Sequence, residues 1–524
     1  SYLDPTHEQR TKEILEEEFP DLPVSTSNEV IAQFREFERF TTTAINARLE
    51  PVMSTYLERL HDRLTDEDIN SEVLVIQSNG GLASINEVEQ MPVTTLLSGP
   101  SAGVLSAEFE GKSADEEKII AFDMGGTSAD ISVYPGHVLE RDARDSKVGG
   151  YPAIVPMLDI ETIGSGGGSI AWLDRANGFN VGPKSAGADP GPACYGLGND
   201  QPTVTDAQVV LGRIDPDTFL GGKLDIDPQR SEKALEEYLC EPLDQQRFAT
   251  PENAALAVLE LANINMYRAI REQTVQRGYD PREYTIVAFG GAGPMHATDI
   301  ADELEASKVL VPPSPGIASA RGLLTADVQY DNQVTLSRDL REVATETVEE
   351  WFDELGARGR ERLEADEIDS DKMVFKQTVD CLYEGQGYEL NVDFDDTNGE
   401  WRQRIRDRFE RKHEAEYGHY FEEDPVELLN IRVSAIGRIS DFEASTLDAG
   451  GDVADAKTGE SSVIFGSSLE PRTRTVPRYA RNALRAGHEL EGPAIVDQPD
   501  STVVVKPDWR AEVLHSGALS LTRK

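Results

Sequence analysis

At 524 residues the chain is long enough for two or three domains with ordinary cores. It carries 96 acidic and 50 basic residues, a formal net charge of -46, which disfavours nucleic-acid binding because phosphate backbones need clustered Lys and Arg. The acid is spread along the whole chain, the pattern of a globular surface adapted to high salt rather than of an acidic tail. Cys194, Cys240 and Cys381 lie far apart, without CxxC or histidines at ligand spacing, arguing against a disulfide framework or zinc site and for a reducing cytoplasm. No run of eighteen apolar residues occurs, and the N-terminus SYLDPTHEQR lacks the basic and apolar regions of a leader. A membrane span and a signal peptide are therefore not expected.

In chain order, HEQRTKEILEEEF reads as a helix, followed by another from about Ser27 with Phe34, Phe37 and Ile45 on one side. PVMSTYLERLHDRLT at 51–65 continues as helix, with Pro51 in a favourable first turn. VLVIQSNGG (73–81), TLLSGPSAG (95–103) and IIAFDMGG (119–126) each run from apolar residues into a glycine turn, as in a layered α/β domain. TIGSGGGSIAW from Thr162 and VGPKSAGADPGPACYG from Val181 are too rich in Gly and Pro for regular elements and are expected as functional loops. AALAVLELANINMYRAIREQTVQRG is a helix, apolar on more than one side, that stops at Gly278. TIVAFGGAGPMHATDIADEL (285–304) repeats strand, glycine turn and helix. Beyond about 335 a helix near 346–368 precedes alternating patterns such as QTVDCLYEGQGYELNV and AIVDQPDSTVVV, read as a separate β-rich part. The expected division is a helical segment 1–72, an α/β domain 73–335 and a β-rich α+β domain 336–524.

The chemistry centres on IIAFDMGGTSADISVY, Ile119–Tyr134. Gly125 and Gly126 free backbone amides to wrap an anion, Thr127 and Ser128 add hydroxyl donors, and Asp123 and Asp130 flank the turn as candidates for a magnesium ion. A hairpin whose Asp and Gly only satisfy turn geometry is the plain alternative. A P-loop is excluded because no GK[ST] follows, and a dinucleotide fingerprint because a strand follows the turn. AFGGAGPMHA places Gly290, Gly291 and Gly293 at a strand-to-helix corner suited to a phosphate or sugar.

DMGGTSADIS resembles the second phosphate hairpin of the actin, hexokinase and Hsp70 ATPase superfamily, and AFGGAGP resembles its adenosine loop. With SNGGLAS, LLSGPSAGV, TIGSGGGSIAW, VGPKSAGADPGPACYG, PTVTDAQVVLGR, RGYDPREYTIVAFGGAGPMHA, VPPSPGIASARGLL and GPAIVDQPDSTVVVKPDW, nearly the entire chain is similar to the hydantoinase A and 5-oxoprolinase family. The resemblance implies an actin-like, ribonuclease H-like layered ATPase domain with a β-rich α+β C-terminal domain. It implies ATP and Mg2+, phosphorylation of a carbonyl oxygen, and opening of a cyclic amide of the 5-oxoproline or hydantoin type by water. Ketone carboxylation is the alternative chemistry, and a hydantoinase B-type second subunit is the implied partner.

By motif match, Asp123, Gly125, Gly126, Thr127 and Ser128 grip phosphates and magnesium, with Asp123 on the metal and Asp130 a further catalytic candidate. Gly290, Gly291 and Gly293 approach the nucleoside. Gly166, Gly167, Gly168, Asp189, Cys194 and Tyr195 are substrate candidates. Cys194 is a weak nucleophile candidate without a nearby histidine in sequence, and His296 is an acid–base candidate or a packing histidine in equal measure. Arg268 and Arg271 suit carboxylate pairing more than phosphate. Two departures stand out: no upstream DxGGT hairpin is present, which reads as an N-terminally incomplete first lobe, and Leu382 stands where the family tends to have arginine. An inactive, truncated assembly module is therefore a third reading.

Overall fold

The computed structural model describes residues 4–69, 71–141, 146–243, 248–444 and 446–524. They pack as two units, each assembled from three stretches. One comprises Ser1–Ala102, Leu139–Asp159 and Leu323–Asp441; the other comprises Gly103–Val138, Ile160–Gly322 and Phe442–Lys524. The segment 73–335 thus contributes to both units, and so does 336–524.

The first unit holds a six-stranded sheet, in the order Leu74–Ile76, Leu82–Ser84, Val328–Asp339, Val426–Gly437, Met373–Tyr383 and Leu390–Asp393. One face carries Val379, Cys381, Ile431 and Val433, which pack with Phe352, Leu355, Ile405 and Phe409 of helices Thr345–Ala365 and Trp401–Tyr417. Aliphatic side chains at alternate strand positions make that face.

The N-terminal helices depart from their sequence reading. Thr6–Glu18 forms as expected, but Ser27–Val30 is a short helix and a long one begins only at Glu36. Phe34 therefore lies outside the long helix, and Phe37 is 70% exposed. The buried side of the long helix includes Arg39, Thr42, Asn46 and Leu57. Asn46 fixes that side by donating to Ser25 Oγ and the Gln90 carbonyl, both at 3.1 Å, and accepting from the Val93 amide at 3.2 Å. Pro51 sits inside the helix Glu36–Asp66 rather than at its start, where its missing N–H costs one helical bond. LLSGPSAG likewise opens a helix, Ser98–Ser113, instead of closing a strand.

In the second unit the strands that build the candidate site are β1 (Ile119–Met124), β2 (Ala129–Tyr134), β3 (Glu161–Ile163), β4 (Ser169–Leu173) and β5 (Phe179–Ser185). They are followed by α1 (Val204–Val210), α2 (Pro251–Gln273), β6 (Thr285–Phe289), α3 (Gly293–Leu304), β7 (Lys308–Val311) and α4 (Ala318–Gly322). The central sheet runs β7, β6, β1, β2, β3, and beyond β7 it continues through Leu519–Arg523, Trp509–Val513 and Glu489–Glu491. β7, β6 and β1 are parallel, whereas β2 and β3 follow antiparallel. β6 is buried at every residue, as a strand covered on both faces must be. α2 buries twelve residues, among them Leu256, Leu259, Met266 and Ile270, and the chain turns out of it at Gly278, whose φ is +82°. AIVDQPDSTVVV forms the hairpin Ala494–Gln498 with Ser501–Val505. The glycine-rich stretches contain more regular structure than their composition suggests, because β4 and β5 pair as an antiparallel hairpin.

Candidate functional site

β1 and β2 meet at the turn Gly125–Ser128, closed by the Gly125 amide donating to the Ser128 carbonyl at 3.1 Å. In this register Asp123 pairs with Asp130, and Asp130 with Thr162 of β3, so both carboxylates occupy one rung across three strands. Thr162 Oγ1 donates to Asp130 Oδ1 at 2.6 Å, and Ser319 Oγ of α4 donates to Asp123 Oδ2 at 2.9 Å. Burial pushes the Asp123 carboxyl up to about 6, the Ser319 bond opposes this, and Asp130 adds to the rise. Burial also holds Asp130 above the usual carboxylate range against the Thr162 bond. Two adjacent, partly desolvated carboxylates of this kind are a site that a cation relieves.

The strand-to-helix corner packs on the same aspartate. Gly290 has φ +78°, and a Cβ there would lie 2.4 Å from Asp123 Oδ1 and from the Met124 carbonyl oxygen. Only glycine permits that approach. The Gly290 amide donates to the Pro315 carbonyl at 2.8 Å, and the Ala292 amide to the Met124 carbonyl at 2.9 Å. Gly291 is exposed, and Gly293 begins α3. The structure therefore brings together the hairpin turn and the glycine corner that lie some 165 residues apart in sequence.

Gly166, Gly167 and Gly168 pack on the turn itself. The Gly167 and Gly168 amides donate to the carbonyls of Gly125 and Gly126 at 3.0 and 2.6 Å, and a Cβ on Gly166 would lie 2.6 Å from the Thr127 backbone. Thr205 of α1 fixes this loop from behind, its amide and hydroxyl donating to the Gly167 carbonyl at 2.8 and 2.9 Å. In contrast, nothing lies within 4 Å of a Cβ built on Gly125 or Gly126. The turn is backed by a hydrogen-bonded loop and open in front, and Gly126 and Thr127 are exposed there.

The remaining candidates lie elsewhere in the unit. Cys194 is buried, and its amide donates to Asp206 Oδ1 at 2.8 Å. Burial, then the Asp206 carboxylate, pushes its thiol well above the ordinary cysteine range, the reverse of what a nucleophile needs. Asp206 is a buried hub that also accepts from the Ala193 and Thr203 amides, Thr203 Oγ1 and Ser231 Oγ. Tyr195 packs its ring 5.9 Å from Phe219, and burial raises its phenol to about 12. Asp189 is exposed.

His296 is fully buried on α3, its Nδ1 2.7 Å from Asn263 Oδ1 and its Nε2 3.1 Å from Gln208 Nε2. Those partners suit a neutral ring that donates through Nδ1 and accepts at Nε2. Burial, aided by Arg213, depresses it to about 4. Arg271 lies on the exposed side of α2, its guanidinium 5.6 Å from the Tyr267 ring. Among the described residues, no three His, Cys, Asp or Glu side chains cluster as a metal site, and no helix is long and apolar enough to cross a membrane.

Ser319 and Thr162, which orient the two aspartates, carry no spacing signal of their own. Ser319 lies inside VPPSPGIASARGLL, and only the folded chain shows which carboxylate it meets.

The hydantoinase/oxoprolinase family model matches residues 39–332. Caprolactamase subunit alpha of Pseudomonas jessenii is 32% identical over 531 residues, covering 100% of this chain and 75% of that protein. The acetophenone carboxylase gamma subunit of Aromatoleum aromaticum is 30% identical, covering 98% of this chain and 71% of its own length. Arabidopsis thaliana 5-oxoprolinase 1 is 31% identical over 99% of this chain but 41% of its own length. The crystal structure of the ATP-dependent P. jessenii caprolactamase superposes with a TM-score of 0.87 over 100% of this chain and 75% of that one, at 31% identity. The fold is thus the mixed α/β, actin-like ATPase type with a β-rich part, and the chain belongs to the hydantoinase/oxoprolinase family.

Proposed function

We propose that this chain is the nucleotide-handling subunit of an ATP-dependent hydrolase that opens a cyclic amide, of the 5-oxoproline or hydantoin type. One observation carries the reading: the paired Asp123 and Asp130 beside a glycine turn that is open in front and braced behind. The open face over Gly125 and Gly126 fits a phosphate, with the turn's amides and the Thr127 and Ser128 hydroxyls as donors. The two carboxylates fit Mg2+, which takes one or two protein carboxylates and completes its shell with water and phosphate oxygens. Asp123 is the direct ligand in this reading, held by Ser319, and Gly290, Gly291 and Gly293 face the nucleoside.

An unstrained amide is a poor electrophile because resonance stabilises it. Transfer of the γ-phosphoryl group forms a bond from the carbonyl oxygen to phosphorus and breaks the bond to the β,γ-bridging oxygen, releasing ADP. Water then adds to the activated carbon, the C–N bond breaks, and carboxylate, amine and phosphate leave. The chain's own contribution is to position phosphates and cation. The relatives named as alpha and gamma subunits support a second, hydantoinase B-type subunit as partner for the hydrolytic step. The dispersed acidic surface supports a salt-rich cytoplasmic setting.

The test is ADP release by the chain co-expressed with its partner subunit, on addition of 5-oxoproline, hydantoin or caprolactam. Stimulation by a cyclic amide, lost in Asp123→Ala, supports the reading. Similarity to the acetophenone carboxylase subunit favours ketone carboxylation as the second reading. Stimulation by ketone with bicarbonate, and by no cyclic amide, selects it.

A further inference from the structure

The sheet of the first unit is apolar on one face and polar along the middle of the other. Register sets Asp331 and Lys376 on either side of Ser434, and in the next row Gln333 and Thr378 on either side of Arg432. Covered sheet faces are normally apolar, and buried polar groups cost stability unless each is paired. Two successive polar rows on central strands therefore mark a face shaped by something other than packing.

These rows form one wall of a cavity of about 760 Å³ that lies wholly within the first unit, a volume typical of small-molecule sites. Part of the wall is internally satisfied. Asp331 accepts from Asn79 Nδ2 at 2.7 Å and Ser434 Oγ at 2.5 Å, and Arg432 donates through Nε to Asp380 Oδ2 at 2.6 Å. The rest is not. The Arg432 side chain makes no other hydrogen bond among the described residues, which leaves both terminal nitrogens of its fork available. Among the described residues, Lys376 pairs with Asp393 alone, at 3.8 Å. Glu140, an exposed residue, also lines the cavity.

We propose that this cavity binds a small molecule carrying both a carboxylate and an N–H donor, the carboxylate on the free fork of Arg432 and the N–H toward Glu140. A planar guanidinium with two free nitrogens matches a carboxylate bidentately, while Glu140 offers acceptors of the opposite charge. The choice of ligand rests on the ring-opening reading, which supplies two molecules of this chemistry: a cyclic amide acid with its ring N–H, and the open amino acid that hydrolysis yields.

Isothermal titration calorimetry on the full, nucleotide-free chain tests this with 5-oxoproline, L-glutamate and caprolactam, the last lacking a carboxylate. One of the two carboxylates binds and caprolactam does not; tighter binding of 5-oxoproline makes the cavity a substrate site, and tighter binding of glutamate a product site. Arg432→Gln weakens binding by at least about tenfold, the loss of a charge-assisted pair. Lys376→Glu, at an exposed position that folding tolerates, weakens it several-fold, with thermal melts confirming both folds. The proposal is overturned if neither carboxylate binds, or if folded Arg432→Gln and Lys376→Glu bind like the native chain. Amide-stimulated ADP release that ignores both variants would sink this cavity and leave the ring-opening reading standing. Binding that depends on Arg432 without any ADP release does the reverse.

Discussion

Asp123 and Asp130 stand directly opposite each other in the register of β1 and β2, each held by one hydroxyl, Ser319 on the first and Thr162 on the second. Two carboxylates on one rung, both resistant to ionisation, form an arrangement that costs stability unless a ligand repays it.

Asp123→Asn tests that cost. The folded carboxyl, at about 6, lies above its unfolded value of 3.8, so the folded state holds its proton more tightly and stability falls as pH rises through that window. Above about pH 6 the full penalty is present. In metal-free buffer at pH 7.5 the variant is expected to be more stable, by on the order of 1–3 kcal/mol, while ADP release falls by about 100-fold or more. Urea unfolding and a coupled ATPase assay read the two effects. A variant that is both less stable and fully active contradicts the assignment.

Glycines 125 and 290 are expected to fail differently. Alanine at Gly290 must hold φ +78° and place a methyl 2.4 Å from Asp123 Oδ1, so Gly290→Ala displaces the aspartate and destabilises the unit by more than about 1 kcal/mol. Alanine at Gly125 meets nothing within 4 Å. Gly125→Ala should melt within a degree or two of the native chain yet bind ATP at least tenfold more weakly, because the methyl fills the space proposed for phosphate. Equal melting temperatures for the two variants would contradict this distinction.

Periodicity and glycine placement made the α/β layering, the buried α2 and the β1–β2 hairpin legible in the sequence, because strand and helix periods are local properties. The corner at Gly290 was legible for the same reason. What was not legible depends on contacts between distant residues. Gly166–Gly168 read as a functional loop, but no local pattern shows that the Gly167 and Gly168 amides bond to the carbonyls of Gly125 and Gly126. Phe34, Phe37 and Ile45 read as one side of a helix from about Ser27, but the long helix starts after Phe34 and buries Asn46 through bonds to residues up to 47 positions away. The chain's return to the first unit at Leu323 has no local signature at all.

Cys194 should be chemically inert in the native state. Its thiol is buried, raised well above the ordinary range, and tied to the Asp206 hub, so the thiolate fraction at neutral pH is negligible. Alkylation of the folded chain with iodoacetamide at pH 7.5 is expected to leave Cys194 unmodified by peptide mapping, and Cys194→Ala to retain ADP release within about twofold. Rapid labelling together with lost activity would restore the nucleophile reading.

His296 supplies a stability term with a defined pH window. Its folded value of about 4 lies below the unfolded 6.5 because burial disfavours the imidazolium, and the neutral ring is bonded to Asn263 and Gln208. Above pH 6.5 neither state takes a proton, and the contribution is fully present. As pH falls from about 6.5 toward 4, the unfolded chain is protonated and the folded one is not. Stability is then lost at up to about 1.4 kcal/mol per pH unit, on the order of 3 kcal/mol in all. His296→Gln keeps a polar group of similar reach but cannot titrate. It is expected to be less stable at pH 7.5, from imperfect packing, and to lose less stability than the native chain between pH 7 and 5. If the ring instead acted as a general acid or base, the variant would lose the chemical step while its pH dependence of unfolding stayed native. Urea unfolding at the two pH values, beside ADP release normalised to folded protein, separates these outcomes.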